Sequence, residues 1–525
     1  MKKKKALISV SDKTNIVKFA SDLISLGYEI ISTGGSADYL SKHNLEVTKV
    51  SELTEFPECF SGRVKTLHPK IHGGLLARRD SEMHMAEAIR LQIPMIDLLV
   101  VNLYPFENTV KNQSHHLEEC IEQIDIGGPA LLRSAAKNFH SLTVITDIED
   151  YDKIISEIEI NGEVSHDIKL KLAVKAFSKT ACYDSLIANY LSQQIETVKT
   201  SSRDSANITS DKYLTLAFQK LSDLRYGENP GQKASLYKKP LLDLPGLTEA
   251  KQLHGKELSY NNYADTDAAM AMLKEFNKPT VVVVKHSNPC GIASSGTIDE
   301  AWNKAYQADP ISIFGGIVVQ NKPVSKEQAE KMSKIFLEVV LAPSFDNEAL
   351  QILTKKKNIR LLELAEVAKS YPQNSKMVKE IYGGLLIQDY DQKSLEEETY
   401  QTVTMKQAEK QDLNDYVFAM KVVKHVKSNA IVLVKNEQTI GIGPGQPNRI
   451  TSAKIAINQA GEKAEGSILA SDAFFPFADT VEAAFEAGVK GIIQPGGSIR
   501  DQESIDFCNK HDLVMIFTGI RHFKH

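Results

Sequence analysis

The sequence predicts an α/β protein built from more than one domain. Short apolar strand patterns alternate with helix-compatible stretches in the first third of the chain, a polar segment follows, and further short apolar strands fill the rest. At about 100 to 200 residues per domain, the 525 residues correspond to about two to four domains.

The strands come in order. Ala6 to Val10 reads as a buried strand, and Ser11 and Asp12 after it are helix-capping types, with Ile16, Phe19, Ala20, Leu23 and Ile24 at helical spacing behind them. Glu29 to Ser32, Leu98 to Tyr104 and Leu142 to Thr146 repeat the pattern. Strands separated by helices imply a parallel sheet covered on both faces. Ser192 to Asp211 is polar, with few large apolar residues, and reads as a linker, so the predicted division is 1–194, linker 195–211 and 212–525. Beyond it, Thr280 to Val284 is a buried strand and Ile431 to Val434 pairs with Thr439 to Ile442 across Lys435 to Gln438. Ser467 to Ala470, Gly491 to Ile493 and Leu513 to Phe517 continue the series. Lys, Asn and Ser flank the strands in Val281 to Asn288 and in Val426 to Val434, which hints at a duplicated subdomain without a strict period.

Composition narrows the function. The formal charge is −5, charged residues make up 25% and hydrophobic ones 42%, which excludes a disordered, fibrous or broadly cationic nucleic-acid-coating protein. The best apolar stretch, Ile93 to Phe106, is broken by Asp97 and Asn102 and falls short of the ~18 uninterrupted residues of a membrane span. Lys2 to Lys5 precede only Ala6 to Val10, shorter than the ~7 residues a signal peptide needs, so a cytoplasmic chain is expected. The 5 cysteines are scattered without a C-x-x-C pair, so neither a disulfide framework nor structural zinc is expected.

Chemistry-bearing motifs concentrate after the strands. Ser11-Asp12-Lys13-Thr14 and Ser32-Thr33-Gly34-Gly35-Ser36 both stand between strand and helix, where unpaired amides and the helix dipole bind anions; each also serves as an ordinary cap or turn. Gly62-Arg63-Val64-Lys65-Thr66-Leu67-His68-Pro69 offers a fork for phosphate and a point charge, or an exposed basic loop. Asn102-Leu103-Tyr104-Pro105 and Gln123-Ile124-Asp125-Ile126-Gly127-Gly128-Pro129, with Arg133 and Lys137 on a following helix, complete a set in which Lys65, Tyr104, Asp125 and Lys137 act as acid, base and charge-stabilising groups around a phosphorylated ligand. In the second half, Lys285-His286-Ser287-Asn288-Pro289-Cys290 ends a buried strand. A neighbouring lysine disfavours the imidazolium, so His286 is a candidate base for a weak amine nucleophile. Arg225 and Arg521 are phosphate-clamp candidates, Asn429 a carbonyl holder and Phe474 a platform for a flat heterocycle.

The segments SVSDKT, STGGS, GRVKTLHP, NLYPF and QIDIGGPALLRSAAKN, in this order, resemble the inosine monophosphate (IMP) cyclohydrolase domain of the bifunctional purine biosynthesis enzymes. LRYGENP, GKELSYNN, VKHSNPCG, IFGG, KSNA, GIGPGQPNR, SDAFFPF and RHF resemble the aminoimidazole carboxamide ribonucleotide (AICAR) transformylase domain of the same family, from about Tyr213 to His525. The resemblance implies a methylglyoxal-synthase-like parallel-sheet domain followed by two cytidine-deaminase-like α/β subdomains. It implies formyl transfer from 10-formyltetrahydrofolate to AICAR, giving FAICAR, then dehydrative closure to IMP. It further implies a cytoplasmic homodimer with no catalytic metal and no nucleic-acid or membrane partner.

Carried over by position, the transformylase base is His286, with Lys285 stabilising the transition state. Nucleotide contacts are implied for Arg225, Tyr226, Gly315, Glu338, Asn429, Arg449, Phe474 and Arg521, and folate contacts for Ile450, Asp479, Ser498 and Ile499. In the cyclohydrolase Lys137 is the implied proton donor or acceptor. Nucleotide contacts there are Ser11, Asp12, Lys13, Thr33, Gly34, Gly35, Ser36, Arg63, Val64, Lys65, Thr66, Val101, Asn102, Asp125 and Ile126. Pro444 stands where the family most often has Ala, and Glu338 where some relatives carry a longer segment with Asp.

Two other function classes are weaker. A zinc nucleobase deaminase needs H-x-E and P-C-x-x-C, but Asn288 follows His286 by two and position 293 is Ala293. A non-catalytic nucleotide sensor would keep its glycine loops and lose acid-base groups, whereas Lys65, Tyr104, Asp125, Lys137, Lys285 and His286 are all present.

Overall fold

The computed structural model describes residues 3–104, 106–111, 116–199, 212–240, 246–371, 375–393, 395 and 400–525, with 195–199 as backbone only. The chain forms two compact units, Met1–Gln219 with Lys239–Leu241, and Lys220–Lys238 with Leu242–His525.

The first unit is built on β1 (Lys4–Val10), β2 (Tyr28–Ser32), β3 (Val47–Lys49), β4 (Leu98–Asn102) and β5 (Thr143–Ile145). They form one parallel sheet in the order β3-β2-β1-β4-β5. Ala6, Leu7 and Ile8 are fully buried, as are Leu98 and Leu99, because helices cover both faces. The order reverses between β1 and β4, so their carboxyl ends open the crevice where ligands of such sheets bind.

Two expectations are corrected here. Ser11 and Asp12 do not cap the first helix, Ile16–Ser25, which begins at Asn15 in a left-handed conformation without a side-chain cap. The Asp12 carboxylate instead accepts from Thr14 N (2.9 Å) and Thr14 Oγ1 (2.7 Å). The expected linker from Ser192 starts inside a helix of 34 residues, His166–Lys199. Ala176 and Tyr183 anchor that helix in the core, and Gln, Glu and Lys beyond them are good helix formers, so low hydrophobicity does not end it. Residues 200–211 lie outside the described residues.

The second unit contains one architecture twice. The first copy comprises β8 (Lys251–His254), β9 (Thr280–Lys285), β10 (Asn288–Ser294), β11 (Gly316–Gln320), β12 (Leu337–Ala342) and β13 (Arg360–Glu363), in the order β10-β9-β11-β12-β13-β8. The second comprises β16 (Gln401–Thr402), β17 (Ile431–Val434), β18 (Thr439–Gly443), β19 (Ile468–Ser471), β20 (Gly491–Gln494) and β21 (Val514–Phe517), in the order β18-β17-β19-β20-β21-β16. Every pairing keeps its direction between copies: the hairpin and the last strand are antiparallel, the three central strands parallel. The duplication is therefore real, and the structure sets the register that the sequence hint left open. Thr280–Lys285 matches Ala430–Lys435, so Lys285-His286 corresponds to Lys435-Asn436 and not to the Lys427 segment.

Strand alternation divides the cores. Val281 and Val283 face one copy's own helices, whereas Val282 and Val284 join a core shared with Val432 and Val434 of the other copy. Each such buried side chain contributes about 1.5–3 kcal/mol. Across the same seam, Glu275 Oε1 takes Lys424 Nζ at 2.8 Å and His425 Nε2 at 2.9 Å, and the Phe276 and Phe418 rings lie 5.0 Å apart. Two ribbons complete the unit, the exposed β6 (Gln219–Leu224) with the half-buried β7 (Ala234–Lys238), and β14 (Lys376–Ile381) with β15 (Gly384–Asp389), both exposed.

Candidate active sites

In the first unit the candidate residues collect at the carboxyl edge of the sheet. Asn102, closing β4, accepts from Ser11 N (2.6 Å) and Asp12 N (3.0 Å) through Oδ1 and donates to Asp12 O (2.9 Å), which ties the Ser11–Lys13 loop across the switch point. Ser36 Oγ bonds both the Val10 amide and its carbonyl, and Ser9 Oγ meets Thr33 Oγ1 at 2.9 Å, so the loops after β1 and β2 share one frame. Thr33 leads into helix Gly34–Lys42 without a side-chain cap, so the first-turn amides of Gly34 and Gly35 have no intrahelical partner.

Lys65 completes that corner. Its Nζ is 3.7 Å from Glu58 Oε2, and a Cβ added to Gly34 would lie 3.2 Å from Glu58 Oε1 and 3.6 Å from Lys65 Nζ. A carboxylate thus lies at a bare helix N-terminus beside a lysine, the place a phosphate fits. Val64 pairs with Cys59 across a turn through Gly62 (φ 86°), and Arg63 is held by Glu122 at 3.1 Å. Thr66 Oγ1 packs on Gly127, where a Cβ would come within 2.9 Å.

Asp125 faces the same corner. Its Oδ1 accepts from Gly128 N at 2.8 Å, and its own amide donates to Tyr183 OH at 2.8 Å. Burial raises its carboxyl above the ordinary range, against the opposing pull of the Gly128, Tyr104 and Gly127 amides and the Lys65 charge. Tyr104 and Ile126 are exposed beside it, Val101 is buried in β4, and Pro105 lies outside the described residues. Lys137 is the exception. It ends helix Gly127–Lys137, and at about 1.5 Å per residue its backbone stands about 15 Å from Gly127. Within one chain the structure does not bring it to Asp125. Glu58 and Tyr183 were missed in the sequence because a single carboxylate and a helical tyrosine carry no local signature.

In the second unit the residues form two groups. The first lies where β9 ends and the antiparallel β11 begins: Lys285, the exposed His286 and Gly315. Lys285 Nζ donates to Phe314 O at 2.9 Å, and Asn288 Nδ2 to His286 O at 3.1 Å, leaving the buried Asn288 Oδ1 without a partner. Glu338 sits at the same edge at the start of β12, but its carboxylate is taken by Arg360 at 2.6 Å. Arg225 stacks on Tyr226 at 4.9 Å in the turn between β6 and β7.

The second group lies where β17 begins and β18, β19, β20 and β21 end. Asn429, Arg449, Ile450, Phe474, Asp479, Ser498, Ile499 and Arg521 all belong to loops or helix starts at this edge. Two expectations change. Arg449, expected on the nucleotide, is buried, with Nη1 on Ser471 Oγ (2.8 Å) and Asp472 and Nη2 on Asn429 Oδ1 (2.7 Å). Asn429, expected to hold a carbonyl, spends its Nδ2 on Gln446 O (2.8 Å) and Pro447 O (3.1 Å). The fully buried Asp472 organises the group, also accepting from Ser428 Oγ at 2.5 Å. Phe474 and Ile499 remain exposed, and Arg521 stacks on Phe523 at 4.5 Å. Among the described residues no hydrogen bond or ion pair joins the Lys285 group to the Asn429 group, and no cluster of three His, Cys, Asp or Glu is placed to hold a metal ion.

The chain thus joins a parallel sheet with an anion-ready carboxyl edge to a duplicated mixed sheet with a lysine–histidine turn. The family model described as "AICARFT/IMPCHase bienzyme" matches residues 135–459, and an "MGS-like domain" model matches residues 15–130. The "Bifunctional purine biosynthesis protein PurH" of Acetivibrio thermocellus is 53% identical over 522 residues, 99% of this chain and 100% of the relative. Its namesakes are 52% identical over 522 residues in Ruminiclostridium cellulolyticum (99% and 100%) and 53% over 523 in Bacillus cereus (100% and 100%). The chain belongs to the AICARFT/IMPCHase bienzyme family and catalyses the last two steps of purine biosynthesis, formyl transfer to AICAR and closure of FAICAR to IMP. No helix of the described residues is long and apolar enough to cross a membrane.

Proposed function

We propose that the two activities divide between the two units, cyclohydrolase in 1–194 and transformylase in 212–525. The observation that carries this is the grouping of the Gly34 and Gly35 amides, Lys65 and Asp125 at one sheet edge of the first unit. The substrate phosphate takes the Gly34–Ser36 helix start and displaces Glu58. Asp125 takes a proton from the carboxamide nitrogen as that nitrogen bonds to the formyl carbon. Lys65 stabilises the oxyanion and Tyr104 borders the ring; the former formyl oxygen then takes the proton held by Asp125 and leaves as water with the proton of the formamido nitrogen, as the ring C=N bond forms.

For formyl transfer, His286 takes the proton from the AICAR amine as the new C–N bond forms. Lys285 has three donors and one engaged, so it stabilises the oxyanion, while Asn429 holds Arg449 in place. Collapse releases tetrahydrofolate, whose nitrogen receives a proton. The donor is 10-formyltetrahydrofolate, on Ile450, Asp479, Ser498 and Ile499, and no metal is required because the acid-base groups suffice. Full-length Lys65→Ala should lose about 10²-fold in cyclisation and keep formyl transfer, and His286→Ala the reverse. Loss of both activities in either variant, or of neither, refutes the division.

The chain works as a cytoplasmic homodimer. The exposed β14–β15 ribbon presents Val378, Tyr382, Leu386 and Ile387, and an isolated hairpin is marginal in water, which favours cover by a second copy. Five free cysteines suit a reducing compartment. Sedimentation equilibrium giving a monomer would refute the dimer.

A further inference from the structure

The turn that carries His286 is held by a group outside the roles given so far. Asp265, on helix Tyr260–Leu273, accepts from His286 N (3.0 Å), Ser287 N (2.7 Å) and Ser287 Oγ (3.1 Å). Both turn residues are left-handed, His286 at φ 54° and Ser287 at φ 59°, in a two-residue hairpin flanked by the Lys285–Asn288 pair. Hairpins of this kind favour Asn-Gly, because a Cβ resists positive φ. His-Ser persists in this conformation because one carboxylate satisfies both amides.

The second copy repeats the device. Asp415, on helix Leu413–Val423, accepts from Asn436 N (2.8 Å) and Glu437 N (2.6 Å), at φ 55° and 52°. The lysine before each turn also reaches an equivalent carbonyl, Lys285 Nζ to Phe314 O at 2.9 Å and Lys435 Nζ to Glu465 O at 2.8 Å. The scaffold is the same and the side chain at its tip differs, histidine in one copy and asparagine in the other. Both Asp265 oxygens are committed to the turn: Oδ1 takes Ser287 twice and Oδ2 takes the His286 amide. The carboxylate therefore acts on the backbone beneath the imidazole, not as a proton partner of the ring.

We infer that Asp265 is a positioning residue for formyl transfer: it fixes the left-handed turn that aims His286, and the Asp415 turn is its duplicate without chemistry. This rests on His286 being the base. The test uses the full-length enzyme, with AICAR and 10-formyltetrahydrofolate varied separately. Asp265→Ala should lower the kcat of formyl transfer by at least about 10-fold, with the KM for AICAR within about 3-fold, since misplacing a catalytic group affects the chemical step more than binding. Adding Ser287→Gly, which accepts positive φ freely, should restore at least about 3-fold of that loss. Asp415→Ala should destabilise the protein to heat as Asp265→Ala does, yet keep formyl transfer within about 2-fold. If Asp265→Ala does not fold, Asp265→Asn, which keeps acceptor capacity on one oxygen, carries the same comparison. Near-normal transfer by His286→Ala overturns the base itself. An inactive His286→Ala beside a folded Asp265 variant of wild-type kcat overturns the positioning role alone, as does an Asp415→Ala loss equal to that of Asp265→Ala.

Discussion

Gly128→Ala isolates the position of Asp125 from its chemistry. A Cβ at residue 128 would lie 3.0 Å from Asp125 Cγ, closer still to Oδ2, and 2.8 Å from Leu103 Cδ2, where ordinary contacts begin at 3.4 Å. The carboxylate must recede by about 1 Å, and a misplacement of that size costs about 10²-fold in rate. Stability responds differently. The crowded atoms belong to two side chains that can yield, and alanine in a helix is favoured over glycine by about 1 kcal/mol. The variant should therefore fold with a Tm within a few degrees of wild type, transfer formyl groups normally and close FAICAR about 100-fold more slowly. The assay is the absorbance change on conversion of supplied FAICAR to IMP, with the Tm from circular dichroism. Wild-type closure by a folded Gly128→Ala would show that the observed place of Asp125 is not the working one.

Two further outcomes concern the same unit. Because burial raises the Asp125 pKa, the carboxyl takes its proton at a higher pH than an ordinary aspartate; closure should fall off as pH drops through a limb above the usual ~3.9. Lys65→Met, which removes a charge that lowers this pKa, should move the limb upward, and a limb unchanged in Asp125→Asn refutes the assignment. Lys137→Ala should cost closure far less than Asp125→Asn, given the ~15 Å separating the ends of its helix. An equal loss would show that Lys137 reaches the reacting atoms from a second copy of the chain.

The sequence carried β1, β2, β4 and β5 of the first unit and β9 and β17 to β21 of the second, but not β11, β12 or β13. Val281–Val284 and Ile431–Val434 were legible because strands buried on both faces are continuous apolar runs. β10 was not, because Pro289 and Gly291 argue against a strand; its place at the sheet edge, with a register shift between those residues, tolerates both. β14 and β15 were also missed, since every residue in them is exposed and no burial pattern marks them. At the candidate sites, the motifs single out Lys65, Asp125 and His286, whose neighbours in sequence are also neighbours in space. Asp265, Tyr183 and Asp472 act across 21, 58 and 44 residues on the groups they hold, and single residues at such separations leave no pattern to read. The register of the duplication is not legible for a related reason: Lys427-Ser428-Asn429 looks like Lys285-His286-Ser287-Asn288, yet one stands before its strand and the other after it.

The core shared by the two copies of the second unit limits how the chain can change over generations. Val282 and Val284 lean on Val432 and Val434, and Glu275 depends on Lys424 and His425, so neither copy has a wall of its own to fall back on. Both copies must therefore keep their shape, the one that carries His286 and the one that carries Asn436 alike. Selection on formyl transfer therefore reaches residues far from any substrate. A substitution at Val432 or Val434 is felt on the side of the molecule that carries His286.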